Sequence, residues 1–191
     1  MPIYNDNRMF LFHPETRRLI AQGLAGIVER EGIAPEVVAG TATAGIPHGA
    51  YLADLLSLPY IYIRDKPKAH GLKNRIEGLD ADSDLEGRRV VVIEDLISTG
   101  GSSARAVEAV REANGDADWC LSIFSYGLDK AAEQFAALTP PCHFTSLLTF
   151  PLLLDVARSG GFLSDAQIDL LEAWQEDPFG WGAAHGFPKE D

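Results

Sequence analysis

Two periodicities divide the chain. Over 14–30, PETRRLIAQGLAGIVER, apolar positions recur three and four residues apart, with Ile20, Leu24, Ile27 and Val28 in one stripe. Pro14 at the first position completes the pattern of a helix. Val37 and Val38 start a short strand that runs into the small-residue loop 40–45, GTATAG. The segment 46–57 reads as the next helix and 59–63 as a second strand. The run 90–93, Val-Val-Val-Ile, has no polar alternation, which marks a strand buried on both faces. A helix follows it to about Asn114, where Gly115 supplies a cap. Further on, 120–125 reads as a strand, 128–138 as a helix and 144–148 as a strand. Ser164 with Gln167 forms a capping-box pattern opening a last helix to about Gln175. Asp177-Pro178 closes it ahead of a Gly-rich tail, so the C-terminal helix and tail cover about 164–191. Strands alternating with helices predict an α/β fold, a mainly parallel sheet flanked by helices. No repeat or linker interrupts the pattern, and 1–191 reads as a single domain.

The segment 64–78, RDKPKAHGLKNRIEG, follows neither period. A long polar loop in a small domain is more often functional than not. Charge sharpens the point. The chain carries 28 acids against 16 bases, a formal net charge of −12. That excludes nonspecific nucleic-acid and anionic-membrane binding. Yet Arg64, Lys66, Lys68, His70, Lys73 and Arg75 crowd into this one loop, with Gly71 and Gly78 as hinges. A local basic cluster in an acidic chain suits a lid over a polyanion. Cys120 and Cys142 lie in apolar runs without metal spacing, which favours free buried thiols in a reducing compartment. No signal peptide and no bilayer-length apolar run is visible, so the chain reads as cytoplasmic.

The chemistry concentrates in 90–103, VVVIEDLISTGGSS. Glu94 and Asp95 fall where the buried strand should end. Ser98, Thr99, Gly100, Gly101, Ser102 and Ser103 then form a loop that leads straight into a helix. Ligands of open α/β sheets bind beyond the carboxyl ends of the strands. Glycines let backbone N–H groups approach an anion, and a helix start directs its positive end there. Two carboxylates beside a phosphate cradle suit a sugar phosphate. A Walker loop would need a Lys that is missing, and the Gly-x-Gly-x-x-Gly fingerprint is also missing.

This pattern resembles the phosphoribosyl-pyrophosphate (PRPP) signature of type I phosphoribosyltransferases. With TATAGIPHGAYLADLLSLPYIYIRDKPKAHG and NRIEG, the chain resembles the bacterial orotate phosphoribosyltransferases from about residue 2 to 138. The resemblance implies the type I fold and transfer of the phosphoribosyl group of PRPP to orotate, giving orotidine 5′-monophosphate and pyrophosphate, with Mg²⁺ held through PRPP and not directly by protein. It implies that Arg64, Lys68 and His70, with Gly71, bind the pyrophosphate end of PRPP. It implies ribose hydroxyls on Glu94 and Asp95, and the 5′-phosphate in the cradle Leu96, Ile97, Ser98, Thr99, Gly100, Gly101 and Ser102. It further implies that Ser98 also touches orotate, that Lys68 and Asp95 are catalytic, that the loop 40–45 faces pyrophosphate, and that Lys68 acts across a homodimer interface so that the two active sites are shared.

Two departures stand out. Some relatives carry a Lys just before the second glycine of the loop 40–45, and here Ala44 stands there. The segment 2–8, PIYNDNR, resembles the strand that follows the family's N-terminal hood, and members begin well before it. The resemblance therefore implies a hood piece lacking over the base. His48 lies beside the pyrophosphate loop. His13, His143, His185 and the tryptophans read as structural. Two other readings stay open: a phosphoribosyltransferase for another base, and a noncatalytic PRPP-sensing regulator. The lid motif Lys68-Ala-His70-Gly71 disfavours the first, and the lid cations disfavour the second.

Overall fold

The sheet order explains where the chemistry gathers. A computed structural model of the chain describes residues 2–65, 75–80 and 83–187. Six strands are ordered β3-β2-β1-β4-β5-β6: β1 (Val37–Thr41), β2 (Tyr60–Ile63), β3 (Ile76–Glu77), β4 (Arg89–Ile97), β5 (Asp116–Ser125) and β6 (His143–Thr149). β2, β1, β4 and β5 run parallel, and β3 closes one edge antiparallel to β2. The order reverses direction between β1 and β4, so their carboxyl ends diverge into a crevice, the usual ligand position in such sheets.

The continuous apolar strands are explained by two cores. Val37, Ala39, Val90 and Val92 join one cluster with residues of α3 (Gly101–Glu112) and α4 (Asp129–Ala136). Val38, Val91 and Ile93 join the other with residues of α1 (Pro14–Arg30) and α2 (Gly45–Leu56). Successive strand residues thus feed opposite cores, as the period of two requires. Each aliphatic side chain buried this way contributes ~1.5–3 kcal/mol.

The chain divides into two units. Asn7–Leu147 holds the sheet up to β6 with α1–α4. The other unit, Met1–Asp6 with Leu148–Asp191, contains α5 (Phe150–Ser159), α6 (Asp165–Glu176) and α7 (Trp181–Ala184). Within it Phe150 packs edge-on against Trp174 at 5.4 Å, and Arg158 of α5 pairs with Glu172 of α6 at 3.0 Å. The capping box at Ser164 forms as expected, with Gln167 Oε1 accepting from the Ser164 N–H at 2.9 Å.

Several boundaries differ from the sequence expectations. β4 continues through Glu94 and Asp95 to Ile97, because β5 keeps pairing with it: Glu94 faces Ser122 and Leu96 faces Phe124. The left-handed residue after α3 is Asn114 (φ 59°), not Gly115. The segment 2–6 has no regular structure and Asn7–Phe12 is a 3-10 helix, where the resemblance implied a strand. β3 lies in the segment 64–78 expected to be a loop, where pairing with β2 makes it a short strand, and α7 forms in the expected Gly-rich tail; α5 carried no sequence expectation.

Candidate active site

The crevice between β1 and β4 is built by close backbone approach. β1 ends at Thr41, and α2 begins four residues later at Gly45. A Cβ on Gly45 would stand 2.5 Å from the Ile93 carbonyl oxygen and would also strike Thr41 Oγ1. Gly49 sits one turn on, where a Cβ would lie 3.1 Å from Gly40 Cα. Glycines here let α2 press onto the sheet, so the loop 42–44 is held beside the end of β4. Tyr60 donates to the Ile46 carbonyl at 2.7 Å and pins the same helix start. Burial drives its phenol well above the usual tyrosine range.

The two acids occupy different surroundings. Glu94 is 7% exposed. Its Oε1 accepts from the Thr41 hydroxyl at 2.7 Å and the Asp95 N–H at 3.0 Å, and its Oε2 accepts from Ser103 at 3.2 Å. Asp95 is half-buried, and its carbonyl oxygen accepts from the buried Asn7 amide at 2.7 Å. Leu96 and Ile97 remain in the strand, and Ile97 points into the core at 0% exposure, so it offers only backbone to a ligand. Ser98 and Thr99 are half-buried, and Ser102 is exposed. Gly100 adopts φ 78°, and a Cβ added there would stand 3.0 Å from Ala131 Cα, a position a side chain fills only with strain. No side chain caps α3, leaving its first N–H groups for an anion.

Burial pushes the Glu94 carboxyl up to about 7, with the Asp95 charge adding to the rise and the Thr41 hydrogen bond opposing it. The folded protein therefore holds this proton more tightly than the unfolded chain. Its stabilising contribution is complete below the ordinary 4.5 and is lost as pH rises through about 7. Urea unfolding across that window should show Glu94→Gln flattening the pH slope by an amount on the order of 3 kcal/mol relative to the parent chain. A difference between the two slopes near zero would refute it. The comparison with the variant matters because buried His48 is shifted downward and contributes with the opposite sign.

Of the basic loop, Arg64 and Arg75 are described; Lys66, Lys68, His70, Gly71 and Lys73 lie outside the described residues. Arg64 and Arg75 exchange a backbone bond at 2.8 Å, and Arg64 pairs with Glu77 at 3.3 Å. Ala42 N–H donates to Ile63 O at 2.7 Å, which seats Arg64 next to the loop 42–44. The strands thus bring together Thr41, Arg64, Glu94, Asp95 and the turn 98–103. His48 is 1% exposed on the first turn of α2, and among the described residues neither ring nitrogen has a hydrogen-bond partner. Burial lowers its pKa, and the Asp95 charge opposes that shift. His143 lies on Trp119 at 4.9 Å, and His185 on Trp181 at 4.1 Å. Cys120 and Cys142 are buried and free. A hollow of about 230 Å³ lined by Arg89, Asp116 and Trp119 lies at the amino ends of β4 and β5, away from the acids. The sequence reading placed Ser103 in the small-residue loop and Thr41 in the loop 40–45 but foresaw neither's bond to Glu94, and it gave Asn7 no role.

The chain is similar to known proteins. A model of the phosphoribosyl transferase domain matches residues 8–124. An orotate phosphoribosyltransferase of Lactiplantibacillus plantarum is 48% identical over 181 residues, covering 95% of this chain and 82% of that protein. One from Staphylococcus saprophyticus is 48% identical, covering 92% and 84%. Among solved structures, the orotate phosphoribosyltransferase of Aeropyrum pernix matches with a TM-score of 0.68 at 27% identity, over 84% of this chain and 85% of that one. The UMP synthase of Leishmania donovani matches with a TM-score of 0.76 at 26% identity, over 92% of this chain but 36% of that one.

Proposed function

The chain belongs to the orotate phosphoribosyltransferase family, and from that premise we propose that it transfers the phosphoribosyl group of PRPP to orotate, releasing pyrophosphate in pyrimidine biosynthesis. The observation that supports the reading is that the acids closing β4 and the glycine turn 98–101 adjoin at the β1/β4 crevice, an acceptor for sugar hydroxyls beside a backbone cradle for a phosphate. Glu94 and Asp95 hold the ribose hydroxyls. The backbone of 96–102 cradles the 5′-phosphate, and Ser98 reaches the base. Arg64, Lys68 and His70 hold pyrophosphate with the loop 40–45, where Ala44 leaves the work to backbone N–H groups and to these cations. The two units act as one phosphoribosyltransferase domain. Homodimers share sites through Lys68. Cys120 and Cys142, both free, suit the reducing cytoplasm.

As pyrophosphate leaves C1′, charge grows on its oxygens and the sugar takes on oxocarbenium character. Cations fixed at those oxygens stabilise that state without rearranging during the reaction. Holding orotate N1 in line with C1′ supplies much of the remaining acceleration. Mg²⁺ would be held through the oxygens of PRPP rather than directly by protein side chains, and when bound it would supply further positive charge at the leaving group.

Pyrophosphate release with PRPP, Mg²⁺ and each of orotate, uracil, adenine and hypoxanthine tests the reading. Release with orotate is expected to exceed that with every other base by about a hundredfold or more, since a site built for polar groups rejects analogues lacking them. Preference for a purine would make it another phosphoribosyltransferase. PRPP binding without release for any base would make it a regulator.

A further inference from the structure

Resting on the phosphoribosyltransferase reading, we propose that Tyr60 is a positioning residue for pyrophosphate: its hydroxyl ties the first turn of α2 to β2 and so fixes the backbone of the loop 42–44. Tyr60 opens β2 and donates to the Ile46 carbonyl at 2.7 Å. At the other end of the loop the Ala42 N–H donates to the carbonyl of Ile63, which closes β2, at 2.7 Å. Both ends of the short loop between β1 and α2 therefore hang on one strand. Arg64 follows that strand directly. β2 thus sets the loop and the first cation of the proposed pyrophosphate site as one unit.

The helix forms without this bond. Only the last four carbonyls of a helix lack an acceptor role within it, and Ile46 is the second residue of α2. What the additional donor supplies is placement. The ring reinforces it: a Cβ on Gly40 would stand 2.5 Å from the Tyr60 hydroxyl oxygen, and one on Gly49 3.0 Å from Tyr60 Cε2. The two glycines leave a slot beside the contact of β1 with α2, and the phenol fills it. Burial keeps the hydroxyl protonated and therefore a donor. Placement matters because the segment 40–45, GTATAG, has no basic side chain. It can meet an anion only with backbone N–H groups and hydroxyls. A lysine on its flexible stem follows a shifted anion, whereas a backbone N–H is re-aimed only by moving the chain.

Tyr60→Phe removes one oxygen, keeps the ring in its slot and leaves the Ile46 carbonyl its place in the helix. The fold should survive, with the melting temperature lowered by no more than a few degrees. Two ligands that occupy opposite ends of the proposed site then separate positioning from general damage. Binding of inorganic pyrophosphate with Mg²⁺, read by calorimetry, should weaken about five- to tenfold, since binding must now supply the ordering that one hydrogen bond supplied. Ribose 5-phosphate reaches only the acids and the turn 98–103, and its Kd should stay within about twofold of the parent value. Equal losses for the two ligands would make Tyr60 a general structural residue, and an unchanged pyrophosphate affinity would leave it nothing to position. Either result would overturn the proposal.

A second measurement needs no substrate. Gly49 and Ala50 carry the first N–H groups with acceptors inside α2. Hydrogen exchange on the ligand-free chain should show these two amides losing protection about fivefold or more in Tyr60→Phe, while amides in the middle of β4 keep theirs. Unchanged exchange at both would mean that the hydroxyl does not hold the start of α2, and the proposal would fall. Failure of the parent chain to bind pyrophosphate would instead overturn the functional reading, and the exchange result would still decide whether Tyr60 fixes the loop.

Discussion

Asp95→Asn is expected to cut kcat/KM for PRPP by about two to four orders of magnitude, the equivalent of ~3–5 kcal/mol from hydrogen bonds between ribose hydroxyls and a charged acceptor. The change removes one oxygen and one charge and leaves the shape. Asp95 is half-buried at the rim of the crevice, and its fixed contacts run through its backbone: the carbonyl takes the Asn7 amide at 2.7 Å, and the N–H goes to Glu94. Both survive the substitution. Folding should therefore be preserved, with the melting temperature moving by no more than a few degrees. Calorimetry reads the PRPP affinity and a thermal melt reads the fold. An unchanged affinity with an intact melt would remove Asp95 from the site.

Lys68→Ala should lower kcat about a hundred- to a thousandfold, the usual consequence of removing one group aimed at developing charge. Mixing is the more telling experiment. When Lys68→Ala and Asp95→Asn chains exchange at random in equal amounts, half of the dimers are hybrids. If Lys68 serves the partner's site, each hybrid collects both defects in one site and leaves the other intact. Activity should then recover to about a quarter of the parent level from two nearly dead samples. If Lys68 serves its own subunit, every site in the hybrid keeps one defect and nothing returns. Subunit exchange is verified separately by mass-tagged chains.

The parts of the fold legible in the sequence were those where one physical demand dominates. The run Val90–Val92 with Ile93 had to be a strand covered on both sides, and its alternate residues do enter separate cores. Ser164 and Gln167 announced a helix start because that bond is local. The end of β4 was misplaced for the opposite reason. Polar residues usually signal the end of a strand, but here pairing with β5 carries the ladder past two acids to Ile97. Helix α5 was hidden because Phe150-Pro-Leu-Leu-Leu reads as an apolar run without period, and the proline sits where a helix tolerates it. The motif singled out Glu94, Asp95 and the glycine turn, which the fold sets side by side at the end of β4 and the start of α3. It did not identify Thr41, which reaches Glu94 across 53 positions, or Asn7, which reaches Asp95 across 88. No spacing rule spans such distances, and only the assembled sheet brings them together.

The alternation of β4 also governs which changes in chain length this enzyme tolerates. Deleting a single residue between Val91 and Ile93 would rotate everything downstream to the other face, exchanging the places of Glu94 and Asp95. A charged side chain meant for the crevice would then be driven against α3, and Glu94 would lose its hydrogen bonds to Thr41 and Ser103. The pairing of β4 with β5 is irregular between Arg89 and Val91, just upstream, so a gain or loss there is taken up before the acids are reached. Lineages of this protein should therefore vary in length up to the first turn of β4 and hold a fixed count from Val91 to Ser103.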